Sequence, residues 1–64
     1  MSQAFVREPG ANTLVRASRE SAENTAEVYR TIERDFDFEV RPGRGGWMIA
    51  RLSKKGSFDS WVEE

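Results

Sequence analysis

The sequence predicts an α+β domain, with one amphipathic helix packed on a three-stranded antiparallel β-meander that one reading extends by an N-terminal hairpin. Three observations carry this expectation. Apolar residues recur at spacings of three and four from Ala22 to Phe36. They then alternate with period two from Phe38 to Val62. Two Gly-containing links, residues 42–46 and 53–57, interrupt the alternation at hairpin spacing. The 64 residues make a single domain, 1–64. A chain of this size buries only about 60% of the surface it exposes when unfolded, so its stability is marginal.

Residues 1–17 give two readings. Glu8-Pro9-Gly10-Ala11-Asn12 is a turn in composition, and Phe5-Val6 and Leu14-Val15 flank it. A hairpin of 4–7 with 13–17 follows, favoured because Thr13 and Val15 suit a strand. The alternative starts a helix at Asn12, a good capping residue.

The helix is expected over 19–35. Ser18 can cap it, and Glu20 and Glu23 fall in its first turns, where the helix dipole favours negative charge. Ala22, Ala26, Tyr29, Ile32 and Phe36 form one apolar stripe, widened by Val28. Glu33 and Asp35 oppose the dipole at the far end, so the last turn should fray.

The strands are expected over 38–41, 47–52 and 58–62. A C-terminal helix over 57–64, capped by Ser57, is the weaker alternative for the third. Splitting the strands by parity gives one apolar set: Phe38, Val40, Met48, Ala50, Leu52, Phe58, Ser60 and Val62. This set should face the helix. The other set puts Trp47, Ile49 and Trp61 among Glu39, Arg41, Arg51, Asp59 and Glu63. Two indoles and an isoleucine on a solvent face form an apolar patch of the kind that marks interaction surfaces. A partner-binding site of Arg41, Trp47, Ile49, Arg51 and Trp61 follows, with the arginines at the rim. A slip of one residue in any strand would undo this grouping.

Composition removes several classes of function. Without Cys there is no disulfide and no thiolate metal site, and without His the commonest general base and the usual zinc ligand are missing. Asp35, Asp37 and Glu39 are spaced neither as an acid–base pair in an apolar pocket nor as a cation loop. Pro42-Gly43-Arg44-Gly45-Gly46 lacks the lysine and following helix of a phosphate-binding loop. The chain therefore reads as non-enzymatic, with no metal, cofactor or small-molecule substrate. Its longest apolar run, Trp47-Met48-Ile49-Ala50, falls far short of a membrane span, and its first residues do not form a signal peptide. A cytoplasmic location without membrane attachment is expected.

The net charge of −1 conceals a polarised chain. Residues 20–39 carry Glu20, Glu23, Glu27, Glu33, Asp35, Asp37 and Glu39 against Arg30 and Arg34. Residues 40–58 carry Arg41, Arg44, Arg51, Lys54 and Lys55 with no acid. The first expectation for function is a protein-interaction module: a small regulator or inhibitor that binds a larger complex, or a homodimer. Viral inhibitors of host defence share this size and charge, and Glu20, Glu23 and Glu27 on one helix flank offer an acidic mimic face. The alternative is a DNA- or RNA-binding module that uses segment 41–55 through Arg41, Arg44, Lys54 and Lys55.

Overall fold

The computed structural model describes residues 7–64. One helix, α1 (Arg19–Ile32), precedes three strands: β1 (Phe36–Gly43), β2 (Gly46–Ser53) and β3 (Phe58–Trp61). The strands pair antiparallel in the order β1-β2-β3. The α+β arrangement read from the sequence is the one found, and residues 57–64 do not form a helix.

α1 begins where its cap dictates. The Ser18 hydroxyl accepts from the Ser21 amide at 3.1 Å, and Glu20 lies in the first turn. It ends three residues short of the expected 35. Glu33 is the C-cap, its amide still donating to the Tyr29 carbonyl at 2.7 Å, and Phe36 belongs to β1. The expected stripe narrows accordingly. Ala22 and Ala26 are fully buried and Tyr29 is half-buried, whereas Val28 is 55% and Ile32 68% exposed. At 3.6 residues per turn, Val28 stands about 140° and Ile32 about 100° around the helix from the Ala22–Ala26 line.

The sheet corrects the expected parity. The β1–β2 link is a two-residue turn, Arg44-Gly45, with φ of 56° and 77°; Gly43 and Gly46 pair across it. Two positive φ values suit the tight hairpin turns whose twist matches the strands. The expected five-residue link would have placed Arg41 opposite Trp47; the two-residue turn places it opposite Met48. That shift of one residue sends β2's side chains to the faces opposite those expected. Val40 now lies opposite Ile49 and Phe38 opposite Arg51. In β3, Ser60 pairs with Arg51 but Phe58 pairs with Leu52, so Asp59 is an extra residue in a bulge and Phe58 changes face.

The helix-facing side of the sheet is therefore Phe36, Phe38, Val40, Trp47, Ile49, Arg51, Ser60 and Val62. Leu14, Ala26, Phe38, Ile49 and Val62 form the buried core, with Tyr29, Phe36 and Val40 packed against it. The Tyr29 and Phe38 rings stand 5.7 Å apart between centroids.

The expected hairpin of 4–7 with 13–17 rests on residues 4–6, which lie outside the described residues. No helix starts at Asn12. Residues 12–16 instead continue the ladder beside β2 and the C-terminus. The Leu14 amide donates to the Val62 carbonyl at 2.9 Å, and the Glu64 amide to Asn12 at 3.0 Å. Arg16 and Trp47 exchange both backbone bonds, at 2.9 and 2.8 Å. Gly46 permits this approach. A Cβ there would strike the Arg16 carbonyl oxygen and lie 2.9 Å from Val15 Cγ1.

Candidate interaction site

The structure does not bring the five residues of the expected patch onto one face. Ile49 is fully buried in the core. Arg51 lies beneath the helix end. Its guanidinium donates to both Glu33 oxygens, at 2.8 and 3.2 Å, and to the Ser60 hydroxyl at 2.7 Å. It also stands 5.7 Å from the centroids of the Phe36 and Phe38 rings. Trp47 is half-buried on the helix side, with the Arg19 guanidinium 5.8 Å from its ring. Arg41 and Trp61 are on the other face.

Trp61 is tied to Arg7. Its indole N–H donates to the Arg7 carbonyl at 2.7 Å, and its ring meets Phe58 edge-on at 5.2 Å. Arg7 donates to the Asp59 carbonyl and lies over the Phe58 ring, while Arg44 donates to the Pro9 carbonyl. On this face Met48 and Ala50 are buried and Leu52, Phe58 and Trp61 are half-buried. The sequence had assigned most of these apolar residues to the core against α1.

The basic residues proposed for nucleic acid divide between the two ends of β2. Arg44 is at the β1–β2 turn with Arg41 close by, and Lys54 and Lys55 are at the β2–β3 turn. Eight residues of strand hold these ends about 23 Å apart. Arg41 pairs with Glu39 at 2.8 Å and Lys54 with Asp37 at 3.1 Å. On α1, Glu23 faces Arg19 at 3.6 Å and Glu27 faces Arg30 at 2.6 Å, leaving Glu20 as the exposed member of the acidic trio without an ion pair among the described residues.

Elsewhere the side chains offer little chemistry. Among the described residues no group of three His, Cys, Asp or Glu could hold a metal ion, and no helix is long and apolar enough to cross a membrane. A surface cleft touches Tyr29, Glu33, Arg51 and Ser60, but Glu33 and Ser60 already take the Arg51 guanidinium. Thr13 Oγ1, at the same cleft, is buried and has no hydrogen-bond partner among the described residues.

The feature that sequence reasoning missed is a backbone one. β1 pairs only with β2, so its other side is an edge of the sheet. Gly43 and Gly46 close a two-residue turn, and hydrogen-bonded pairs then alternate along the hairpin. The odd-numbered residues of β1 bond β2, and the even-numbered ones turn their backbone groups outward. Two contacts agree with this assignment. The outward Phe36 amide donates to the Glu33 carbonyl at 3.2 Å, and the outward Phe38 carbonyl accepts from the Arg30 guanidinium at 2.8 Å. Among the described residues the Phe38 and Val40 amides and the Val40 and Pro42 carbonyls take no backbone partner there. Pro42 carries no N–H and is tolerated because it points to the edge. The exposed pair Glu39 and Arg41 flanks this stretch. β1 runs beyond the expected 38–41 at both ends, because Pro42 and Gly43, which the sequence places in a link, continue the period-two pattern that begins at Phe36.

Set against protein-family models, curated proteins and solved structures, the chain matches none of them.

Proposed function

We propose that the protein is a non-enzymatic protein-interaction module, a small regulator that engages a protein strand along the outer edge of β1. One observation carries this reading: Phe38, Val40 and Pro42 present successive outward backbone groups without backbone partners among the described residues. Such an edge is a template for strand addition, in which main-chain bonds supply affinity and alternate side chains supply specificity. The absence of His and Cys from the sequence supports a role without catalysis. The scattered and paired basic residues favour protein over nucleic acid as the partner.

The test is capture on immobilised protein, both of the purified chain itself and from a cell lysate, with and without nuclease. Val40→Pro serves as the edge-blocked control. It removes an outward N–H while leaving the β2 ladder intact, and far-UV circular dichroism verifies its fold. Expected is capture of protein that survives nuclease and is lost with Val40→Pro. Equal capture by both forms, or capture abolished by nuclease, would contradict the proposal.

A further inference from the structure

We infer that the strand received by β1 is the β1 of a second copy, paired antiparallel about Val40 so that two three-stranded sheets become one. The inference rests on the edge reading above and adds the occupant and its register.

The argument is one of self-complementarity. Centring the pair on Val40 sets Val40 opposite the second copy's Val40, Glu39 opposite Arg41, and Phe38 opposite Pro42. At the centre, the two Val40 residues exchange N–H and C=O bonds, using both outward groups of each. One step out, the Phe38 amide donates to the second copy's Pro42 carbonyl. Pro42 has no N–H to return, so the Phe38 carbonyl would be left without a donor. That carbonyl is the one already occupied by Arg30, at 2.8 Å. Every outward group of residues 38–42 is then satisfied, which buried ladder groups require.

Charge selects the same register. Glu39 and Arg41 project from the far face, 52% and 44% exposed, and pair within one chain at 2.8 Å. Across the two-fold axis, each Glu39 meets the other copy's Arg41, and each Arg41 the other's Glu39. Centring on Glu39 or Arg41 instead sets like charges directly opposite, which is unfavourable. The Glu39-centred register also asks the Val40 amide to bond the occupied Phe38 carbonyl. The Arg41-centred one leaves the Val40 carbonyl facing Pro42, which cannot donate. Shifting by half a step would bring inward-bonded residues to the edge and reverse the faces.

The two-fold axis is perpendicular to the joined sheet and puts both helices on one side of it. Arg30, which reaches the β1 edge, and its partner Glu27 then line the seam. The contact is isologous and closes at two copies.

The experiment is sedimentation equilibrium over a range of concentrations with three variants: Glu39→Arg, Arg41→Glu and the double variant carrying both. Glu39 and Arg41 are exposed and outside the core, and far-UV circular dichroism checks that each variant folds. The wild type should pass from the mass of one chain to that of two as concentration rises. Each single variant should associate about tenfold or more weakly, because two like-charged contacts replace two opposite-charged ones. The double variant should recover the wild-type association. An equimolar mixture of the two single variants should form a heterodimer, since one copy then offers two arginines and the other two glutamates. A wild type that stays at the mass of one chain, or singles that associate as well as wild type, would overturn the inference. So would a mixture that does not pair. If these fail while lysate capture still depends on the edge, the interaction role stands and only the second copy falls.

Discussion

Arg51 on β2 and Glu33 at the C-cap of α1 form a two-pronged ion pair, Nε to Oε1 at 2.8 Å and Nη2 to Oε2 at 3.2 Å, which clamps the end of the helix onto the sheet. Both side chains are largely buried, at 19% and 32% exposure, so solvent screens them less than the exposed pairs. Glu33→Ala removes a carboxylate and leaves Arg51 short of its partner. A loss of about 1–3 kcal/mol is expected, read as a fall in thermal midpoint of several degrees or more. A double-mutant cycle with Arg51→Met should give a clear coupling energy. The same cycle on Glu39 and Arg41 should give about 0.2–1 kcal/mol at low salt and less at high salt.

Ile49 has no exposed surface and contacts the centre of the core. Ile49→Ala should cost about 2–5 kcal/mol, enough to unfold most of so small a domain, and Ile49→Val about 0.5–1.5 kcal/mol. Denaturant melts decide the matter. A fully stable Ile49→Ala protein would return Ile49 to the surface.

Gly45 holds φ at 77° and a Cβ there would meet nothing within 4 Å, so Gly45→Ala should cost only backbone strain, about 1–2 kcal/mol. Gly46→Ala differs in kind. Its Cβ collides with the Arg16 backbone, which cannot rotate away as a side chain would. The expected outcome is loss of the Arg16–Trp47 ladder, seen as fast amide exchange at both residues while the β1–β2 pairs stay protected.

Val28 and Ile32 project into solvent from α1 at 55% and 68% exposure. Val28→Ala should therefore leave stability within about 0.5 kcal/mol of wild type, with the better helix former offsetting any lost contact. A larger loss in a thermal melt would mean that Val28 packs against something.

The start and buried face of α1 are legible in the sequence, and the register of the sheet is not. Ser18, Glu20 and the Ala22–Ala26–Tyr29 spacing mark α1, because capping and helical periodicity act within a few residues. The three glycines around Arg44 allow several links between β1 and β2, and composition cannot choose among them. The choice lies in φ at Arg44 and Gly45, and one residue of difference reassigns Trp47, Met48 and Ile49. The bulge at Asp59 reassigns Phe58 in the same way. Residues 12–16 were illegible for a further reason: their partners, Trp47 and 62–64, lie at the far end of the chain. The candidate edge was hidden because backbone groups leave no mark in composition.

The most direct measurement is residue-resolved hydrogen exchange at the Phe38 and Val40 amides, with the Glu39 amide, bonded within the β1–β2 ladder, as internal reference. Dilute protein should exchange Phe38 and Val40 far faster than Glu39, and at high concentration both should gain protection. Phe38 and Val40 amides as slow as Glu39 in dilute protein would contradict an open β1 edge, and rates that do not change with concentration would contradict its pairing with a second copy.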